Sequence, residues 1–155
     1  MKKSIISFLC LCFSVCASAQ TSIEEFKDGL QGMASSITEE LKRMETTVAE
    51  TYGVTMRMNV IYSRASNEFI YDYECFSEDF FNVGNLEDGA DAGIAEMFRG
   101  FNKEDPSGET LQWFLDGLRD TNTTLVFRWR YESQQKEKRL SPIDVRKKVL
   151  RLKLN

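Results

Sequence analysis

The hydrophobic spacing of the chain changes near Gly53, and this change points to a fold that combines helices with a sheet. Before Gly53, apolar residues recur at steps of three and four, which is the spacing of one face of a helix. They are Ile23, Phe26, Leu30, Met33, Ile37, Leu41, Met44, Val48 and Tyr52. Beyond Gly53, apolar and polar residues alternate as they do in a half-buried strand. We therefore predict a long helix followed directly by a strand.

The start of this helix has a recognisable signal. Ser22 and Glu25 have the spacing of a capping box, in which each side chain bonds the backbone N–H of the other residue. The apolar stripe is expected to pack against the core of the domain, and the alternative use of such a stripe is a seam between two copies.

Alternating segments also predict four strands, joined in pairs as two hairpins. Residues 54–62 and 69–75 form the first pair. Residues 123–132 form the clearest strand of the chain, and residues 137–140 are expected to return beside it. Matching apolar faces indicate that the strands of a pair share one core side.

Helical signals lie between and after these pairs. A short helix is expected near Ile94 to Phe101, and a second one is expected to be capped by Asp105 with Pro106 in its first turn. Trp113 lies off the apolar face of that second helix, and we expect a neighbouring segment to cover it. Residues 141–155 are predicted to form a further helix, although leucines alternate near the end as in a strand.

The element order predicts the fold class. Residues 20–155 are expected to form a single α+β domain, with an antiparallel sheet of about four strands and helices packed on one face. The hydrophobic pattern does not determine the order of the strands.

Residues 1–19 have the pattern of a secretory signal peptide. Lys2 and Lys3 precede an apolar run that is too short to span a bilayer, and Ala17-Ser18-Ala19 is a small-residue cleavage site. We expect a bacterial protein exported to the periplasm or beyond, with retention as an anchor or lipidation at Cys16 as the alternatives. After cleavage Cys75 would be the only cysteine, and we expect it to be buried in a strand rather than cross-linked to a partner.

The chain contains no histidine. This excludes Ser-His and Cys-His nucleophiles and most zinc sites, and we expect no metal and no cofactor. An enzyme that works with paired carboxylates would still be compatible with this composition.

Charge is distributed unevenly along the chain. Residues 20–124 carry 8 basic and 21 acidic side chains, whereas residues 125–155 carry 10 basic and 3 acidic ones. The polar side of the predicted sheet collects a charged set, namely Arg57, Asp72, Glu74, Arg128 and Arg130. These residues would form ion pairs between strands, or the arginines would bind a carboxylate, a phosphate or an acidic partner.

The end of the chain carries a basic tract, formed by Arg146, Lys147, Lys148, Arg151 and Lys153. This tract would be a solvated helix face or a contact for an anionic lipid or polymer. It is short and has no tryptophan anchor, which argues against peripheral membrane contact. The expected export and the net negative charge of the chain argue against a nucleic-acid partner.

Residues 118–131 run from a short helix through a threonine-led turn into a strand of alternating aromatic and basic residues. This run resembles the closing half of small exported bacterial α+β proteins whose function is not established. The resemblance implies an exported module and no particular activity. We expect a non-catalytic protein that binds another macromolecule, and the alternatives are a carboxylate-dependent enzyme acting on an envelope polymer or a small-ligand carrier.

Overall fold

The computed structural model of the protein describes residues 22–52, 56–83 and 85–154. The elements in chain order are α1 (Ile23–Tyr52), β1 (Met56–Ser63), β2 (Glu68–Cys75), α2 (Glu78–Val83), α3 (Leu86–Glu104), α4 (Glu109–Thr121), β3 (Thr124–Tyr131), β4 (Gln134–Leu140) and α5 (Pro142–Leu154). The predicted signal peptide and Gly53 lie outside the described residues.

The four strands form one sheet in the order β1-β2-β3-β4. β1 pairs with β2 and β3 pairs with β4 in antiparallel fashion, but β2 and β3 run parallel. The predicted α+β class and four-stranded sheet are confirmed, and the prediction of an entirely antiparallel sheet is wrong. The connection through α2, α3 and α4 is long enough to return the chain to the end of the sheet where β2 starts, as a parallel neighbour requires.

Asn67 joins the β1–β2 turn to the start of β3. It has a left-handed backbone with φ of 55°, and its carbonyl accepts a bond of 3.1 Å from the Thr124 N–H. Its side-chain oxygen accepts bonds from the Tyr62 hydroxyl at 2.8 Å and the Thr123 hydroxyl at 3.1 Å, and its amide donates to the Thr121 carbonyl. These bonds hold the beginnings of the two parallel strands side by side.

The hydrophobic core lies between one face of the sheet and the helices. Phe69, Leu125 and Phe127 from the central strands are each at most 2% exposed, and Tyr71 stacks on Phe127 with ring centroids 5.0 Å apart. The helices contribute further buried residues, including Phe26, Leu30, Ile94, Phe101, Leu111, Phe114, Leu118, Val145 and Val149.

Helix α1 starts as predicted. The Ser22 hydroxyl accepts a bond of 3.1 Å from the Glu25 N–H, and the Glu25 carboxylate accepts one of 2.8 Å from the Ser22 N–H. Trp113 is covered, as expected, because the ring of Phe26 packs edge-on against it at 5.1 Å.

Several element boundaries differ from the predictions. The short helix α2 was not predicted, and α3 begins at Leu86, well before the apolar spacing becomes clear. Helix α4 begins at Glu109 rather than at Pro106, although the Asp105 carboxylate still accepts a bond of 2.7 Å from the Thr110 N–H. β4 begins at Gln134, three residues earlier than expected, because the turn before it is short and Glu132 adopts a left-handed φ of 49°.

Candidate functional site

The predicted charged residues of the sheet lie together on the side of the sheet that faces away from the core. They are Arg57, Asp72, Glu74, Arg128 and Arg130. Arg57 Nη1 lies 3.2 Å from Glu74 Oε2 on the neighbouring strand. Arg130 binds Asp72 through two parallel bonds of 2.9 and 2.7 Å, and Asp72 is only 5% exposed. The hydrogen bond that Arg130 donates to Asp72 raises the pKa of Arg130 above its ordinary value, so the guanidinium remains charged.

Arg128 does not pair with Asp72, which lies opposite it in the register. Its Nε donates instead to Glu137 Oε1 on β4 at 2.7 Å. Glu137 also accepts a bond of 3.3 Å from Arg139, and Arg139 pairs with Glu68 as well. Glu68, Glu137 and Arg139 were not predicted as part of this face. Glu68 precedes the predicted strand of residues 69–75, and the positions of Glu137 and Arg139 depend on the register of β4 on β3.

The arginines of the sheet face are thus occupied. Each of Arg57, Arg128 and Arg130 donates a hydrogen bond to a carboxylate of an adjacent strand. An external anion would meet arginines whose charge is already offset by a neighbouring carboxylate, and the arrangement fits the interpretation as cross-strand ion pairs.

The basic tract divides into residues that hold the fold together and residues that face solvent. Arg146 Nη2 lies 2.7 Å from Asp116 of α4. Lys148 Nζ lies 2.9 Å from Glu87 of α3 and also bonds Asp91. These contacts attach α5 to the two neighbouring helices. The side chain of Lys153 lies outside the described residues.

Lys147 and Arg151 belong to the second group. Both are exposed, and within the described part of the chain neither has a carboxylate within ion-pair distance. They lie beside an open cleft of about 290 Å³ between the end of β4 and α5. We call it the basic cleft, and it is lined by Lys138, Arg139, Lys147, Lys148 and Arg151 together with Glu87, Leu140 and Asp144.

Glu87 is the acidic centre of the basic cleft. Hydrogen bonds donated by Lys138 and Lys148 lower its pKa from 4.5 to about 2. Asp144 is committed to the N-terminus of α5, where it bonds the hydroxyl and the N–H of Ser141, and the hydroxyl contact lowers the pKa of Asp144. Both carboxylates are therefore ionised near neutral pH, and the five cations still outnumber them.

Lys138 and Arg139 were not predicted as members of this site. They belong to β4, whereas the predicted basic tract belongs to α5. The excess of basic residues in 125–155 includes both segments. The composition therefore indicated a basic region, but no local spacing of residues showed that β4 and α5 meet.

Cys75 borders a second open cleft, of about 320 Å³, together with Glu74, Phe76, Arg130, Tyr131 and Glu132. The cysteine itself is 3% exposed, and burial raises the pKa of its thiol. A buried, protonated thiol is a poor nucleophile. The expectation of a buried strand cysteine is confirmed.

The resolved pKa shifts of the carboxyl groups in the described residues all have the same direction. The carboxyl groups with a clearly shifted pKa are Glu87, Asp105, Asp116 and Asp144, and in each the pKa is lowered. Within the same residues, no cluster of three potential metal ligands occurs, and no helix has the length and apolar character to cross a bilayer.

Comparison with known protein families, with curated proteins and with solved structures found no match for this chain. The function is therefore inferred from the geometry of the site itself.

Proposed function

We propose that the protein is exported from a bacterial cell and that it binds another macromolecule, without catalysis, through the basic cleft. The observation that carries this proposal is the state of Lys147 and Arg151. They lie exposed beside the cleft with no carboxylate partner among the described residues, whereas the arginines of the sheet face are already paired. Lys147 interacts with Asp144 only at longer range, so within the described residues neither cation has a close ion pair to give up when an anionic ligand binds.

The surface next to the cleft favours a macromolecule over a small anion. Ile143 and Leu150 are 63% and 52% exposed on α5. They share one side of the helix with Lys147, because residues three and four apart are neighbours on a helix surface. A partner that covers this side would bury aliphatic surface and neutralise charge at once.

Export is supported by the leader pattern of residues 1–19. Mass spectrometry of the protein recovered from the periplasm or the medium is expected to show an N-terminus at Gln20. An intact Met1 in that material would contradict export with cleavage.

The binding proposal is tested with a soluble polyanion. The double variant K147Q/R151Q is expected to bind poly-L-glutamate at least about tenfold more weakly than the natural protein. Each surface ion pair contributes up to about 1 kcal/mol, and about 1.4 kcal/mol corresponds to tenfold in affinity. Binding is measured by fluorescence anisotropy at low and moderate salt, and the affinity should fall as salt rises.

The matched control is K42Q/R43Q. Lys42 and Arg43 are exposed on α1, which packs beside β1 at the opposite edge of the sheet, and their removal changes the net charge equally. This control should keep the natural affinity. Equal weakening by the two variants would show a nonspecific charge effect and would reject the cleft as the site.

A further inference from the structure

We infer that the basic cleft receives an acidic, extended segment of a partner protein, which pairs with the outer edge of β4 as a fifth strand. This inference rests on the proposed function and specifies the chemical class of the partner. It is carried by the difference between the two edges of the sheet, by the position of the cleft and by its charge.

The β1 edge of the sheet is closed by the protein itself. The Thr38 hydroxyl of α1 accepts a bond of 2.7 Å from the Val60 N–H and donates one of 3.0 Å to the Val60 carbonyl. A single side chain thus occupies both outward backbone groups of Val60. α1 lies where an additional strand would have to enter.

The outer edge of β4 differs from the β1 edge in its strand pairing. Within residues 22–52, 56–83 and 85–154, no strand pairs with the outer side of β4. Every second residue of an edge strand directs its N–H and C=O outward, where an incoming strand can bond to them. Strand addition of this kind is an established mode of peptide binding.

The basic cleft opens at the C-terminal end of this edge, beside Lys138, Arg139 and Leu140. Lys138 lies opposite Phe127 and pairs with Glu87 of α3, on the helix side of the sheet. The next residue, Arg139, lies on the opposite side, where it pairs with Glu68. Because successive side chains of a strand point to opposite faces, a cleft lined by both residues lies at the strand edge.

The charge of the edge selects the kind of segment. Lys138 and Arg139 are already bonded to Glu87 and Glu68, so the cations that remain for a partner lie on α5. An acidic segment would meet Lys147 and Arg151 of α5 while its backbone lies along β4. The backbone bonds would supply the affinity, and the acidic side chains would supply the selectivity.

The experiment uses a peptide of about eight residues, a typical strand length, in which glutamate alternates with valine or threonine. The control peptide has the same sequence and charge but carries methyl groups on its central backbone nitrogens, so neither of its edges can donate hydrogen bonds. We expect the methylated peptide to bind the full protein at least about tenfold more weakly. K147Q/R151Q should weaken binding of the unmethylated peptide similarly, and K42Q/R43Q should not.

Amide hydrogen exchange provides the structural readout. Binding of the unmethylated peptide is expected to slow exchange at alternate residues of Gln134–Leu140 and to leave β1 unchanged. Slower exchange at alternate amides would not follow from a contact with the charged side chains alone.

The outcomes separate this inference from the proposed function. Equal affinity for both peptides, with poly-L-glutamate binding still dependent on Lys147 and Arg151, would overturn strand addition and leave the proposed function standing. Binding to anionic phospholipid vesicles or self-association through the cleft, without peptide binding, would also overturn it. Failure of poly-L-glutamate and of both peptides to bind would overturn both proposals.

Discussion

Glu87 shows how single side chains set the charge of the basic cleft. Its carboxylate lies between two lysines that come from different elements, Lys138 of β4 and Lys148 of α5. The same contacts attach α3 to the C-terminal part of the chain. One residue therefore stabilises the fold and reduces the positive charge that a ligand would meet.

The lowered pKa of Glu87 predicts a pH-dependent contribution to stability. The pKa falls from 4.5 to about 2 on folding, because the bonds from Lys138 and Lys148 favour the ionised form. A depressed folded pKa gives stability that is present above about pH 4.5 and is lost as the pH falls towards 2. We expect Glu87→Gln to have a lower urea midpoint than the natural protein at pH 6, with the difference disappearing near pH 2.

Glu96→Gln is the control for this experiment, since Glu96 lies on the same helix and pairs with Arg99 at the surface. Glu96→Gln should lower the urea midpoint at pH 6 by less than Glu87→Gln does. Glu87→Gln should also bind poly-L-glutamate more tightly, because it removes a negative charge from the cleft. Weaker binding would contradict the assignment of the cleft as the anion site.

At the scale of the elements, close packing decides where helices lie. Gly117 of α4 lies against the ring of Phe26 from α1, and Gly93 of α3 lies against Phe127, where an added Cβ would come within 2.8 Å of the ring. The glycines let helices approach a neighbour more closely than alanine would. The apolar stripe of α1 was predictable from its spacing, but these contacts between elements were not.

Gly117→Ala is expected to destabilise the protein by about 1–3 kcal/mol, because the new methyl group would overlap the Phe26 ring. Gly32→Ala on α1 is the matched control. Nothing lies within 4 Å of the methyl group that it adds, and it should stabilise the helix by up to about 1 kcal/mol. Urea unfolding monitored by tryptophan fluorescence measures both effects, and equal effects of the two substitutions would contradict close packing at Gly117.

At the scale of the whole molecule, the sheet depends on the parallel pairing of β2 and β3, which joins strands far apart in the sequence. Asn67 is placed at the start of this pairing. Its bonds with Tyr62, Thr123 and Thr124 connect the β1–β2 turn with the entry of the chain into β3.

Asn67→Ala is expected to destabilise the protein by about 1–3 kcal/mol, because it removes the side-chain bonds to the Tyr62 hydroxyl, the Thr121 carbonyl and the buried Thr123 hydroxyl. Asn67→Gly tolerates the left-handed backbone and removes only the side-chain bonds, so it should cost less than Asn67→Ala. Both are measured by thermal and urea unfolding. If Asn67→Gly is as stable as the unsubstituted protein, the side-chain bonds of Asn67 contribute nothing to stability.

Local spacing determined much of this protein from the sequence alone. The period of three to four identified α1, the period of two identified the strands, and Ser22 with Glu25 marked a helix start, because these signals come from neighbours in the chain. The same spacing placed Arg57, Asp72 and Arg130 on one face of the sheet.

The tertiary structure decided what depends on distant neighbours. The parallel register of β2 on β3, the pairing of Arg128 with Glu137 and the meeting of β4 cations with those of α5 all join residues that no local pattern connects. Arg146 and Lys147 are adjacent in the sequence, yet Arg146 binds Asp116 and Lys147 faces solvent at the cleft. The positions of α3 and α4 decide which cations of α5 form ion pairs within the fold and which face solvent. The reason is that the energy of a charge depends on what surrounds it in space.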